Sequence, residues 1–314
     1  MTSFIQRLVS RISGSRGPRS PRVFLGAFGK HPGWNDHIDD IGLETDELVS
    51  IKRLLYVQGI AGNIDSGAWD ALADDQQLAR FRHVLLWRRD EDVVVGRLWS
   101  SRDGKGRSKY PMIVCAQCTA LPLSWVLQTI LPRLETLQEQ CQQATDAPGV
   151  VALLDSHRNE LRQLVAAQAP AESILPPDQG VLPALAARPE MGPDARGLMI
   201  VLYAVERELA AFRADADRAA STGPRHLRVP ACGSDSQQVL TLWLHFLAAQ
   251  LADSAPVYLL LPLDGDWVDI LVGEPSPAQL FCLRAGPRKI PLTTEIPYTL
   301  DAEFIDRCTR LIQP

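Results

Sequence analysis

Short connections between apolar runs constrain the fold of this chain more than any other sequence feature. The runs 83–89 and 92–99 are rich in Val, Leu and Trp, as strands are, and only Asp90 and Glu91 separate them. A third apolar run begins at Pro111, after one polar loop. Parallel strands need a crossover connection of about a dozen residues or more, and no connection here reaches that length. The sequence therefore predicts an antiparallel sheet in this part of the chain.

The remaining patterns predict helices and strands in separate blocks. Apolar residues spaced three and four apart predict helices over 123–143, 150–167, 195–214 and 236–251, with another opening at Asp301. Pro132 is expected to kink or split the first of them. Further strands are predicted over 23–28, 257–261, 267–272 and 279–283. This order predicts the α/β (α+β) class: a mainly antiparallel sheet flanked by helices in a layered sandwich, a single domain with a helical insertion in which both strand groups can join one sheet.

Proline density marks the one internal boundary. Six prolines occur within the 24 residues 170–193, which is too dense for regular structure except a brief turn over 181–187. We interpret 169–194 as an extended connector. It separates a core over 22–168 from a helical and β part over 195–314, which is expected to complete the same domain.

Residues 1–21 form a basic N-terminal tail. Five arginines precede the first carboxylate, that of Asp36, and they are Arg7, Arg11, Arg16, Arg19 and Arg22. Apolar residues at helical spacing beside them fit a short amphipathic helix that could touch a membrane or a partner. A solvated tail is the alternative.

Composition excludes several classes of protein. A net charge of −5 gives no overall attraction for nucleic acid. No apolar run approaches the roughly 18 to 20 residues that cross a bilayer, so no transmembrane segment is predicted and a cytoplasmic location is expected. The six cysteines lack the spacing of a disulfide framework, which predicts reduced thiols.

Two polar loops directly adjoin the predicted strands. The first loop, residues 29–37, reads Gly-Lys-His-Pro-Gly-Trp-Asn-Asp-His, and the second loop, residues 101–111, reads Ser-Arg-Asp-Gly-Lys-Gly-Arg-Ser-Lys-Tyr-Pro. Loops at strand ends are where functional residues concentrate. We predict that the two loops converge at one rim of the sheet.

Together the two loops resemble the signature of the TagF (ImpM) family, accessory proteins of bacterial type VI secretion. That family carries Gly-Lys-x-Pro-x-x-x-Asp after its first strand and Ser-x-Asp-x-x-Gly-Arg, followed by an aromatic-Pro pair, between two later strands. The matching residues are Gly29, Lys30, Pro32 and Asp36, and then Ser101, Asp103, Gly106, Arg107, Tyr110 and Pro111. The resemblance covers about residues 22–120. It implies a nonenzymatic regulatory or scaffold protein, a post-translational repressor that binds a cytoplasmic secretion component, with a forkhead-associated-domain protein as a candidate partner.

The predicted binding residues lie in these loops: Lys30, Pro32, Trp34, Asp36, Ser101, Asp103, Gly106, Arg107 and Tyr110. Lys30, Asp103 and Arg107 could bind an anion or a charged side chain of a partner. Alternatively, the two cations pair with Asp36 or Asp103 and only hold the loops together. Among the tryptophans, Trp34 is expected to be the most exposed.

The sequence motifs do not combine into a recognisable catalytic site. The Gly-x-Gly of the second loop lacks the spacing of a phosphate-binding loop, and no Gly-x-Ser-x-Gly is present. Cys115 and Cys118, within one strand, would face opposite sides. We therefore predict a protein that is not an enzyme and that uses no cofactor or metal. The alternative is a nucleotide- or metal-responsive, enzyme-like module that uses Lys30, Asp36, Asp103 and Arg107.

Overall fold

The computed structural model of the protein describes residues 20–89, 92–168, 180–210, 212, 223–251 and 255–312. Most of the predicted basic tail, the Asp90–Glu91 turn and residues 169–179 of the predicted connector lie outside the described residues. Within the described ranges, no helix combines the length and apolar character needed to cross a bilayer.

A seven-stranded antiparallel sheet forms the centre of the described structure. Its strands are β1 (Arg22–Gly29), β2 (Arg82–Arg89), β3 (Asp92–Ser100), β4 (Pro111–Thr119), β5 (Arg225–Pro230), β6 (Val257–Pro262) and β7 (Trp267–Val272). Their order across the sheet is β1-β4-β3-β2-β6-β7-β5. Both predicted strand groups share this sheet because β2 pairs with β6, with Leu85 opposite Leu260. The predicted fold class is confirmed.

Helices cover both faces of the sheet. They are α1 (Asp46–Ile51), which continues as a π-helical stretch over Lys52–Ala61 and a last turn over Gly62–Asp65, α2 (Leu131–Gln143), α3 (Ala147–Gln168), α4 (Val181–Ala186), α5 (Arg196–Glu208), α6 (Ser236–Gln250), α7 (Pro277–Leu280) and α8 (Ala302–Ile312). Short 3₁₀ turns occur at Asp74–Gln76, Pro189–Met191, Pro193–Ala195, Phe281–Leu283 and Thr293–Glu295. In the described part of the predicted connector, α4 lies where a brief turn over 181–187 was predicted, and two 3₁₀ turns follow it in place of extended chain.

The helix that contains Pro132 changes its geometry just before the proline but remains continuous. Residues Leu123–Trp125 start the helix, Val126–Ile130 have π geometry, and α2 continues from there with Pro132 in its first turn. The amide of Leu131 donates to the carbonyl of Val126, five residues earlier. A proline has no N–H to donate and its ring clashes with the carbonyl four residues back, so the wider turn accommodates it.

Alternation along the strands divides the core into two layers. In β4, Val114 and Ala116 pack on the face covered by α2, α3, α5 and α6, whereas Ile113 and Cys115 pack on the face covered by α1, its continuation and α7. Cys118 joins the first of these layers, so it and Cys115 lie on opposite faces, as the strand period requires.

The predicted strand over 279–283 is wrong. These residues form α7 and the 3₁₀ turn Phe281–Leu283 instead. Ser276 and Gln279 form a capping box, and Pro277 occupies the first helical turn, where its missing N–H costs nothing. Local capping therefore outweighs the apolar pattern, and the apolar residues Leu280, Cys282 and Leu283 are still buried.

Strand β5 was not predicted. It is an edge strand whose sequence, Arg-His-Leu-Arg-Val-Pro, is half polar. Its polar residues His226 and Arg228 lie on the α7 face of the sheet, while Leu227 and Val229 pack in the other layer. His226 and Arg228 form hydrogen bonds with Asp269, which is distant in the sequence. The strand propensities of single residues do not include such contacts.

Candidate functional site

The two loops meet at one rim of the sheet. In the ladders, Gly29 of β1 is opposite Met112 and Ser100 of β3 is opposite Pro111, so the ends of β1 and β3 flank the start of β4. The amide of Lys30 donates to the carbonyl of Pro111 at 3.1 Å. Gly29 has φ +116°, and a side chain there would meet that same carbonyl oxygen at 2.3 Å. Antiparallel pairing therefore brings the loops together, as predicted from the sequence.

Asp103 is the hub of the charged residues. Its Oδ2 accepts hydrogen bonds from Lys30 Nζ at 2.7 Å and Arg107 Nε at 2.6 Å. Its Oδ1 accepts the backbone N–H groups of Lys105 and Arg107, both at 3.0 Å. Desolvation by itself would raise the pKa of Asp103, but these hydrogen bonds stabilise the carboxylate and hold the pKa well below its ordinary value. Asp103 is therefore an anion at neutral pH, and its hydrogen bonds tie both loops together.

Asp36 extends the network towards solvent. Arg107 Nη2 lies 3.1 Å from Asp36 Oδ1, and Lys30 Nζ lies 3.8 Å from the same atom. Arg107 also donates to the carbonyl of Asn35 at 2.9 Å. Desolvation would raise the pKa of Asp36, but Arg107 and His37 outweigh it and hold that pKa below its ordinary value. We call the four residues Lys30, Asp36, Asp103 and Arg107 the two-loop cluster.

Burial separates the inner pair of this cluster from the outer pair. The side chain of Lys30 is 4% exposed and that of Asp103 is 0% exposed. Arg107 and Asp36 are 50% and 67% exposed. The sequence left open whether these charges bind a partner or pair within the chain. Lys30 and Asp103 form a buried internal pair. Arg107 and Asp36 also pair with each other, but both remain accessible to another molecule.

Aromatic rings complete the surroundings of Lys30. Its Nζ lies 5.5 Å from the centre of the Tyr110 ring, a cation–π distance. The Tyr110 ring also contacts His37, with centres 5.1 Å apart, and its hydroxyl donates to Asp65 at 3.4 Å. Tyr110 is half-buried, so one part of its ring packs inside the site and the other part is accessible to solvent.

The remaining predicted residues take different positions. Pro32 and Gly106 are exposed, and Gly106 has φ +81°, which favours glycine there. Ser101 is half-buried. Trp34 is half-buried, as is Trp125, whereas the other five tryptophans are buried. The Trp34 ring packs against the core and lies edge-on to His31, with ring centres 5.7 Å apart.

His31 anchors the first loop to the helical layer. Its Nε2 donates to the carbonyl of Cys141 in α2 at 2.8 Å, and its Nδ1 accepts the N–H of Gly33 at 3.0 Å. Across the loops, the N–H of Gly104 donates to the carbonyl of Trp34 at 2.6 Å. Backbone hydrogen bonds as well as charges therefore fix the two loops to each other and to the core.

Sequence analysis missed a second polar cluster on β5 and β7. Asp269 Oδ1 accepts from His226 Nε2 and Arg228 Nε, both at 2.7 Å, and its Oδ2 accepts from Arg228 Nη2 at 2.9 Å. Trp267 Nε1 adds a bond at 3.2 Å. Desolvation would raise the pKa of Asp269, but His226 and Arg228 outweigh it and lower that pKa. The sequence signal for this strand was the alternation of polar and apolar residues around Arg228. Its partner Asp269 becomes apparent only from the pairing of β5 with β7.

The second cluster is also where ligand atoms suited to a metal come together. His226, Asp269 and Cys282 offer nitrogen, oxygen and sulfur atoms within 4.8 Å of one another. Both oxygens of Asp269 already accept from the Arg228 guanidinium, which a divalent cation would have to displace. Burial holds the pKa of the Cys282 thiol well above its ordinary value, which disfavours the thiolate that metals bind. The donor set is better suited to a structural ion pair.

All six cysteines are free and buried. Burial raises the pKa of Cys115 to about 12, and the same cause raises the pKa of Cys118. Thiols in such surroundings are inert.

Comparison with known proteins gives structural similarity to solved chains but no family. No family model matches the chain, and no curated protein matches it. A solved structure that it resembles is PA0076 from Pseudomonas aeruginosa PAO1, with 20% identity and a TM-score of 0.31. The match covers 47% of this chain and 63% of PA0076, so the chain spans less than two thirds of that neighbour.

Proposed function

We propose that this chain is a nonenzymatic regulatory or scaffold protein of type VI secretion, which represses secretion after translation by binding a cytoplasmic component of the system. A forkhead-associated-domain protein is the candidate partner. The proposal combines the TagF-like signature of the two loops with the geometry of the two-loop cluster. The observation that carries it is the buried Lys30–Asp103 pair between the loops, at 2.7 Å.

This pair supports a docking role because it turns two loops into one preorganised surface. Ordering a loop at the moment of binding costs affinity, and a surface fixed beforehand avoids that cost. The hydrogen bonds from Gly104 to Trp34 and from Arg107 to Asn35 act in the same direction.

The exposed part of this surface carries positive charge. Arg102 and Lys105 are exposed beside the half-exposed Arg107. Since the chain as a whole has a net charge of −5, this local patch distinguishes one face from the rest. Such a patch favours a partner with an acidic surface and speeds their encounter.

A nucleotide- or metal-responsive module would use the same four residues differently. A ligand would have to replace existing partners, since Asp103 already accepts four hydrogen bonds and Lys30 is almost fully buried. Breaking a buried pair is strongly unfavourable. The geometry therefore supports binding through the surface around the cluster rather than chemistry within it.

The test is a calorimetric titration of the full chain with purified cytoplasmic components of the secretion system, the forkhead-associated-domain protein first. Lys105→Glu reverses an exposed charge on the second loop, and we expect it to weaken binding about tenfold or more. Arg53→Glu makes the same charge change at an exposed position in the α1 continuation and is the matched control. Saturable binding of Mg²⁺ or ATP that Asp103→Asn abolishes, with no binding of any secretion component, would contradict the proposal.

A further inference from the structure

A cavity of about 530 Å³ opens beside the two loops, between the second loop and the segment before β2. Its wall includes three arginines and three serines: Arg80, Arg102, Arg284, Ser100, Ser101 and Ser108. The volume lies within the range of small-molecule sites and is several times that of one inorganic anion.

Two of these arginines have no carboxylate partner among the described residues. Arg80 does, since its Nε and Nη2 donate to Asp264 at 2.7 and 3.2 Å. Arg102 is exposed and forms no hydrogen bond or ion pair with any part of the chain that the structure describes.

Arg284 is half-buried and donates only to neutral oxygens. Its Nε bonds the carbonyl of Leu78 at 2.9 Å, its Nη2 bonds Gln77 Oε1 at 3.4 Å, and its guanidinium lies 5.1 Å from the Phe81 ring. Desolvation lowers the pKa of Arg284, with an opposing effect of Asp70 through space. A desolvated cation with no carboxylate in direct contact is unfavourable, and an anion in the cavity would relieve that cost.

The serines add hydroxyl donors to the same wall. Ser100 Oγ accepts the N–H of Phe81 at 2.8 Å, which leaves its own hydrogen for another acceptor. The hydroxyls of Ser101 and Ser108 form no hydrogen bond within the described ranges. Two guanidinium groups and three hydroxyls offer more donors than a carboxylate needs, and they suit the several oxygens of a phosphate.

We propose that this cavity binds a phosphate monoester, with the phosphate held by Arg102, Arg284 and the serine hydroxyls. The space beyond one phosphate accommodates the esterified group. An adjoining cavity of about 490 Å³ shares Arg80 and Ser100 and adds Arg82 and Arg97, but Glu135 and Glu139 also line it. These two carboxylates repel an anion, and none of the described residues that line the first cavity carries a carboxylate. The site shares Arg102 with the exposed patch of the proposed docking surface. It is nevertheless testable separately, because phosphate binding is measured without any secretion component.

The test is a calorimetric titration of the full chain at constant ionic strength. The ligands are inorganic phosphate, glucose 6-phosphate and a phosphoserine peptide. Glucose and the unphosphorylated peptide are the ligand controls. We expect saturable binding of at least one monoester more tightly than of inorganic phosphate. The ester that gains most identifies the source as a small metabolite or a modified protein.

Variants separate a built site from diffuse charge. Arg102→Gln removes an exposed side chain without internal contacts, so the variant should keep the wild-type melting temperature and lose about tenfold or more in affinity. Arg284→Gln should lose at least as much, and Arg102→Gln remains decisive if that variant does not fold. Lys105→Gln removes the same charge from the same loop outside the cavity and should change affinity less than twofold.

Three results would overturn the proposal. They are no saturable binding of any phosphate at constant ionic strength, equal affinity for inorganic phosphate and both esters, and equal weakening by Arg102→Gln and Lys105→Gln. If the wild-type chain binds a secretion component but no phosphate ester, this site alone is rejected. If it binds a phosphate ester but no secretion component, only the proposed function is rejected.

Discussion

Replacing Lys30 with Met tests how the two loops are held together. The change removes the hydrogen bond from Nζ to Asp103 at 2.7 Å and the cation–π contact with Tyr110 at 5.5 Å. Methionine keeps most of the aliphatic stem, so little cavity is created. The lost interactions, not lost packing, therefore dominate the expected effect.

The expected cost of Lys30→Met follows from what remains around Asp103. Removing one partner of a fully isolated buried pair costs about 3 to 5 kcal/mol. Asp103 keeps the Arg107 side chain and two backbone N–H groups, at 2.6 and 3.0 Å. The loss is then nearer that of a single hydrogen bond to a charged group, and we expect about 2 kcal/mol of the free energy of unfolding.

Urea denaturation with calorimetry measures this loss. A cost of about 2 kcal/mol corresponds to a melting temperature lower by about 3 °C for a chain of 314 residues. Lys52→Met is the matched control, because Lys52 pairs with Asp40 at the surface, and that change should cost about 0.5 kcal/mol. Equal, small losses in the two variants would refute the argument that burial makes the Lys30–Asp103 pair important.

Three further predictions concern the same structure. The pKa of Asp103 is lower in the folded chain than in the unfolded chain. The ionised carboxylate therefore stabilises the fold fully above about pH 3.9, the ordinary pKa, and this stabilisation is lost as the pH falls further. In urea titrations at several pH values, Asp103→Asn should reduce the fall of the denaturation midpoint on the acid side. Arg228→Met leaves Asp269 buried without its main partner and should lower the free energy of unfolding by about 3 to 5 kcal/mol, whereas Arg228→Met with Asp269→Leu should recover most of it in the same urea titration. Because burial raises the pKa of Cys115 to about 12 and all six thiols are buried, a thiol reagent at neutral pH should label none rapidly in the native chain and all six in denaturant, as mass spectrometry would show.

Sequence reasoning succeeded where neighbouring residues dictate the geometry. The short connections among β2, β3 and β4 allow only antiparallel pairing, and that pairing places the second loop at a sheet rim. Pro132 is accompanied by a change of helix geometry, because a proline has no N–H to donate and its ring crowds the preceding turn. The place of both polar loops at strand ends could likewise be read from the apolar runs beside them.

Reasoning failed where a partner distant in the chain overrides local preference. Strand β5 was missed because Arg228 and His226 make it look like a polar loop, although both are satisfied by Asp269 in β7. The opposite error occurred at 279–283, where apolar residues suggested a strand but Ser276 and Gln279 cap a helical turn.

The sequence by itself determined the antiparallel class, the position of the loops at strand ends and the charges they carry, since these depend on period, connection length and residue type. Only the tertiary structure decided that Asp103 pairs with the buried Lys30 and with the half-exposed Arg107. It also decided that Arg102 and Arg284 line one cavity without carboxylate partners among the described residues. The reason is physical. Ion pairs and cavities depend on which distant strands are brought into register and on how much water remains, and neither is encoded in any one stretch of the chain.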